Sequence, residues 1–193
     1  MQRICVFCGS SPGSDPAYFD AAQEMGREIV ARNLTLVYGG GHVGLMGAIA
    51  DAVLAAGGAV IGVIPHALAV REVAHQRLTR LHVVGSMHER KAMMADLSDA
   101  FVALPGGFGT YEEFFEAVTW TQLGVHKKPC GLLNVAGFYD PLVQFLDNAV
   151  SEQFVRQQHR STILVDTHPG RLIDQLGRVQ LPDVPKWIGL AEA

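Results

Sequence analysis

Three times this chain runs a short apolar segment straight into a glycine turn and then into a helical pattern. Segments 4–8, 34–38 and 100–104 lead respectively into Gly9, into Gly39, Gly40 and Gly41, and into Gly106, Gly107 and Gly109. Helical patterns follow over 16–31, 44–56 and 110–123. Apolar segments this short read as strands buried on both faces, and strands that alternate with helices build a parallel sheet. The expected fold is therefore α/β, a Rossmann-like doubly wound parallel sheet with helices on both faces. Such sheets bind ligands beyond the carboxyl ends of their strands. The three glycine turns all lie there, so Ser10, Gly40, Gly41 and the 106–110 turn are expected around one crevice.

Further strands are expected over 59–64, 78–84, 129–133 and 163–165, with helices over 87–97, 139–151 and 169–176. Segment 66–77 carries no readable pattern. No linker or repeat divides the chain, so 1–193 reads as one nucleotide-binding domain, with the tail after about 180 peripheral. Hydrophobic residues make up 49% and charged residues 18%, which excludes a disordered chain. A net charge of −4 without a basic block argues against nucleic acid as a partner. The amino terminus has no signal-peptide layout, and no apolar run reaches the ~18 residues of a membrane span, so a cytoplasmic protein without a membrane partner is expected.

The third turn carries the chemistry. Pro105, Gly106, Gly107, Phe108, Gly109 and Thr110 join a strand to a helix start, where free N–H groups and the positive end of the helix dipole favour an anion such as phosphate. Thr110 suits the N-cap, and Glu113 stands at capping-box spacing from it. Acidic residues beside an anion site make sense if one of them acts chemically. Glu112 and Glu113 are neighbours about 100° apart on a helix and cannot share that role. Glu116 belongs to the helix surface or to a supporting position. Arg90 and Lys91 lie on the helix that precedes this strand. Taken alone they form a solvated patch, but the helix can lean towards the crevice, where an arginine holds a phosphate or a carboxylate. Met87 is expected to face a ligand, with Met93 and Met94 in the core or an interface.

Other chemistries fit less well. Gly39, Gly41 and Gly44 match a dinucleotide fingerprint in spacing, but they follow the second strand and no acid ends the third. Cys5 and Cys8 fall on opposite faces of a strand, so a redox pair is not expected, and Cys130 completes a set of free thiols. The eight histidines show no metal-ligand spacing. Neither a metal nor a cofactor is expected.

Pro105-Gly-Gly-x-Gly-Thr-x-x-Glu113, preceded by Met87-His-Glu-Arg-Lys-Ala-Met-Met94, resembles the LOG (Lonely Guy) family of cytokinin riboside 5'-monophosphate phosphoribohydrolases. The likeness extends over most of the chain and includes Cys8-Gly-Ser-Ser11, Gly39-Gly-Gly41 and Trp120-Thr-Gln-Leu-Gly124. It implies hydrolysis of the N-glycosidic bond of N6-substituted adenine riboside 5'-monophosphates, and of AMP, to free base and ribose 5-phosphate. It implies Arg90 and Glu113 as catalytic residues. Substrate-binding residues would be Glu72, Lys91, Thr119 and the segment Gly106, Gly107, Phe108, Gly109, Thr110, Tyr111, Glu112 and Glu113. It also implies a homodimer, which fits the spread of Phe114, Phe115, Val118, Trp120 and Leu123 around more than one stripe of their helix. Two alternatives stay open: a non-catalytic purine nucleotide-binding protein, and a lysine decarboxylase. The second would need pyridoxal phosphate on one of Lys91, Lys127, Lys128 and Lys186, none of which stands in a recognisable Schiff-base context.

Overall fold

A computed structural model describes residues 1–69 and 74–182. The strands are Arg3–Phe7 (β1), Thr35–Tyr38 (β2), Val60–Pro65 (β3), Arg80–Val84 (β4), Ala100–Ala103 (β5), Cys130–Leu133 (β6) and Ile163–Asp166 (β7). The helices are Pro16–Ala31 (α1), Gly44–Ala55 (α2), His66–Ala69 (α3), Met87–Asp96 (α4), Phe108–Leu123 (α5), Asp140–Ser151 (α6), Gln157–Arg160 (α7) and Pro169–Arg178 (α8).

Among the described residues seven strands pair in parallel in the order β4-β3-β2-β1-β5-β6-β7. The chain winds outward from β1 to β4, then returns to the other side of β1 and winds outward again. The expected doubly wound sheet is thus observed. The direction of winding reverses between β1 and β5, where Ile4 pairs with Ala100 and Phe7 with Ala103. Loops leaving these two strands must diverge to opposite faces, which opens a crevice above them. β4 and β7 form the two edges.

Strand side chains alternate between two cores. Ile4, Val6, Ala100 and Val102 join α1, α2 and α8 on one face. Cys5, Phe7, Phe101 and Ala103 join α4, α5 and α6 on the other. Burial on both faces is why the strands read as unbroken apolar runs. Cys5 and Cys8 fall in opposite cores as expected, and all three cysteines are buried and free. Burial pushes their thiols up, that of Cys130 to about 12, so they remain unreactive.

Three expectations need correction. α5 begins at Phe108 rather than Thr110, with Gly107 as its N-cap and no capping side chain. Thr110 is therefore inside the first turn, buried, and makes no capping box with Glu113. Phe115, Val118 and Trp120 are half-buried against the second core, so a mate is not required to cover them. The unreadable segment contains the short α3 and, beyond it, a bridge between Ala74 and Gly41. Glu72 and the tail from 183 lie outside the described residues, as do Trp187 and Lys186.

Gly26 lets α1 lie directly on α2. A Cβ there would stand 2.8 Å from Ala52 Cβ and 2.9 Å from the Ile49 carbonyl oxygen. Gly26→Ala should therefore destabilise by about 1–3 kcal/mol, because backbone must move to admit it. Gly177, in α8, would meet nothing within 4 Å. Gly177→Ala should stabilise by up to ~1 kcal/mol through helix propensity alone. Denaturant midpoints of the two variants check both expectations.

Candidate active site

The start of α4 is fixed by a reciprocal cap. Ser86 Oγ accepts from the Glu89 N–H at 3.1 Å, and Glu89 Oε2 accepts from the Gly85 N–H at 2.7 Å. This turn aims Arg90 inward, where it is 8% exposed. Its Nε donates to the Val63 carbonyl at 3.2 Å and its Nη2 to the Gly39 carbonyl at 3.4 Å. Val63 lies in the carboxyl half of β3, and Gly39 directly follows the neighbouring β2. Gly39 has to be glycine for this, since a Cβ would stand 2.0 Å from Arg90 Nη2. Met87 is exposed on the same turn, with its Sδ 3.8 Å from Arg90 Nη1.

Arg90 Nη1 also lies 3.5 Å from Glu113 Oε1, and both side chains are largely buried. Burial raises the Glu113 carboxyl above its ordinary value; Arg90 and Lys91 pull it down and Glu112 and Glu116 push it up. Desolvation prevails, so the carboxyl holds its proton more readily than an exposed glutamate does. Glu112 points elsewhere: it and Glu116 hold Lys91 Nζ, the Glu116 contact being 3.0 Å. Burial works to lower the Lys91 pKa, but these two bonds outweigh it and raise it.

The glycines of the third turn divide into two kinds. Gly106 is required by packing, since a Cβ there would collide with Thr110 Oγ1 at 2.2 Å and the Gly9 nitrogen at 2.9 Å. The Gly9 N–H donates to the Pro105 carbonyl at 3.0 Å, which ties the loops after β1 and β5 together. At Gly107 and Gly109 an added Cβ would meet nothing within 4 Å. Protein packing does not demand glycine at either position. What their bare backbone does is leave the uncapped N–H groups of the first α5 turn open to an outside group. Phe108 between them is 92% exposed. Beside this turn lies a cavity of about 330 Å³ lined by Ser10, Ser11, Tyr18, Phe138, Gly106 and Gly107.

The structure thus gathers Arg90, Glu113, Met87, Lys91, Gly39 to Gly41 and the 106–110 turn at one end of the sheet. Thr119 is exposed on α5, and its Oγ1 donates to the Phe115 carbonyl at 2.7 Å. Tyr111 is half-buried against the second core. Sequence reasoning missed the role of Val63, whose contribution is a backbone carbonyl that any residue supplies. The dinucleotide-like spacing also finds a physical account. At Gly44 a Cβ would stand 2.4 Å from the Ser10 carbonyl carbon, so this glycine lets two loops touch.

These features define a Rossmann-like protein with a buried arginine–glutamate pair beside an open, glycine-rich helix start. A family model described as possible lysine decarboxylase matches residues 46–176. The cytokinin riboside 5'-monophosphate phosphoribohydrolase LOG of Oryza sativa subsp. japonica is 55% identical over 164 residues, 85% of this chain and 68% of the rice protein. The Arabidopsis thaliana phosphoribohydrolase LOG1 is 52% identical over 176 residues, covering 91% of this chain and 83% of its own. The chain belongs to this LOG family. The molybdenum cofactor carrier protein of Chlamydomonas reinhardtii shares the fold at 22% identity, with a TM-score of 0.68 over 92% of this chain and 96% of its own. Among the described residues no helix is long and apolar enough to cross a membrane.

Gly39→Ala should leave the fold intact, because the group it displaces is the flexible end of Arg90. With the guanidinium pushed from its seat, the Glu113 carboxyl should titrate higher than in the wild type. Carboxyl-carbon NMR of labelled glutamate reads that shift directly.

Proposed function

We propose that the protein hydrolyses the N-glycosidic bond of N6-substituted adenine riboside 5'-monophosphates, with AMP as a second substrate. The observation that carries this reading is the buried Glu113 carboxylate facing Arg90 beside the uncovered start of α5. Cleavage at the anomeric carbon develops positive charge on the ribose. A desolvated carboxylate close by stabilises that charge and deprotonates the attacking water. The water oxygen bonds to the anomeric carbon as its proton passes to Glu113, the bond to the base nitrogen breaks, and the base nitrogen takes up a proton from solvent, to which Glu113 then returns its own. Arg90 holds Glu113 in place. The N–H groups of the 107–110 turn bind the 5'-phosphate and fix the sugar, using binding energy remote from the bond that breaks. Met87, Ser10, Gly40 and Gly41 line the nucleotide pocket, Lys91 contacts the substrate, and Glu72 and Thr119 complete the set by family likeness. The names and the high identity of the rice and Arabidopsis relatives support the same activity.

Neither alternative is favoured. A protein that only binds nucleotide gains nothing from a buried carboxylate near phosphate. A lysine decarboxylase needs an amine that gives up its proton. Lys91 is held between two carboxylates that keep it charged, and Lys128 Nζ donates to the Ala95 carbonyl at 2.7 Å. We also place the protein in the cytoplasm, where three buried free thiols are stable.

Incubation with AMP and with prenylated AMP, followed by chromatography, tests the reading. Free base and ribose 5-phosphate are expected, and their absence overturns it. Glu113→Gln should lower kcat by about 10²-fold or more. Because burial raises the Glu113 pKa, the acid limb of wild-type kcat/KM should lie above the ordinary carboxylate range. The same sign governs stability. A carboxyl raised in the fold contributes stability at low pH and loses it as pH rises through its folded pKa, and the Gln variant should lack this loss.

We infer in addition that the protein is a homodimer. Phe108, Met87, Leu123 and Val125 remain exposed along α5 and at its mouth. Light scattering should give twice 20.8 kDa. A fully active monomer overturns this assembly.

A further inference from the structure

His75 is 2% exposed, yet it takes no part in the arginine–glutamate pair. Its Nδ1 accepts the Arg77 backbone N–H at 3.2 Å. The proton of the neutral ring therefore sits on Nε2, which lies 3.2 Å from Asp51 Oδ1 on α2. Arg77 Nη2 donates to the same oxygen at 2.6 Å, and the His42 ring packs edge-on against His75 at 4.7 Å. The backbone of this segment grips the second glycine turn. The His75 N–H donates to the Gly40 carbonyl at 3.1 Å, and Ala74 bridges Gly41. Gly40 has φ +79°, a conformation other residues rarely adopt. The next carbonyl along, that of Gly39, is the one that receives Arg90.

We propose that His75 is a positioning residue: anchored on Asp51, it holds the second glycine turn in the shape that aims Arg90 at Glu113. The proposal rests on the hydrolase reading for its kinetic consequences and on geometry for its structural ones. His42, Asp51 and His75 also offer donor atoms within 4.8 Å of one another, as a divalent cation would need. The hydrogen bonds favour the clasp. A metal-bound histidine donates its other ring N–H to an acceptor, whereas here the other nitrogen faces a donor. The Asp51 oxygen is moreover already shared with Arg77.

The test compares His75→Ala, Asp51→Ala and Asp51→Asn with AMP as substrate. The two alanine variants should lose about tenfold in kcat with little change in KM, the scale of a misaligned catalytic group. Their acid limb should move to higher pH, because a displaced Arg90 no longer holds the Glu113 carboxyl down. Lys91, Glu112 and Glu116, the other charges facing Glu113, are untouched by these changes. Asp51→Asn keeps an oxygen for Nε2–H and should keep the wild-type limb. An unmoved limb in both alanine variants overturns the proposal, even where melting temperature falls. So does a zinc-induced rise in wild-type melting temperature that His42→Ala abolishes, which would make the cluster a cation site. Should the wild type fail to hydrolyse AMP and prenylated AMP, the hydrolase reading falls, and amide exchange decides the clasp. Exchange at His75 and Arg77 must then quicken in Asp51→Ala but not in Asp51→Asn, and equal rates overturn it.

Discussion

A guanidinium buried beneath the ends of two strands is the constraint from which the site follows. An isolated buried charge is expensive, and it persists only when hydrogen bonds and a counter-charge compensate it. Arg90 obtains the hydrogen bonds from the carbonyls of Val63 and Gly39, and the counter-charge from Glu113. Each partner comes from a different element, so β2, β3, α4 and α5 must all be in register before the arginine is satisfied. The reverse also holds. Glu113 keeps its buried carboxyl because Arg90 opposes the desolvation that raises it. Site and fold are thus coupled through one ion pair, and Gly39 is the position where lack of a side chain makes the coupling possible.

Much of this was legible in the sequence because the sheet is parallel and, apart from the exposed edge strand β4, covered on both faces. Runs such as 100–104 have no polar face to confuse with a helix, and Pro16 and Pro169 mark helix starts by fixed backbone geometry. The order of strands was not legible, since pairing of Ile4 with Ala100 is a long-range fact. The start of α5 was misjudged because Phe108 and Gly109 look like loop. Thr110 looks like a cap, but its hydroxyl packs on Gly106. Segment 66–77 resisted reading for a different reason. The order of 74–77 comes from Gly40, Gly41 and Asp51, residues distant in sequence, and leaves no periodic trace.

At the candidate site the sequence distinguished residue types better than partners. Arg90 and Glu113 were paired from motif order and family likeness, and the geometry brings them together. Glu112, placed with the substrate-binding segment, and Glu116, placed at the surface or in a supporting position, both turn out to hold Lys91. The label of lysine decarboxylase on the matching family model sits poorly with that arrangement, because two carboxylates on one ammonium oppose the loss of its proton. Thr119 was named by family likeness alone, and among the described residues the one hydrogen bond of its hydroxyl goes to the Phe115 carbonyl of its own helix.

The pairing of β1 with β5 has a consequence for synthesis. β1 is synthesised well before β5, the strand that covers one of its two edges and ends at Ala103. Until then β1 can pair only with β2, and the edge bearing the Ile4 to Phe7 backbone stays open. The nascent chain passes through a stage in which its central strand is temporarily a border, apolar and able to accept any extended partner. Closure waits on the segment that also carries the 105–113 motif. The polypeptide therefore covers the open edge of β1 and acquires its glycine-rich turn at nearly the same moment of translation, so that a chain too short to cover β1 also lacks the turn.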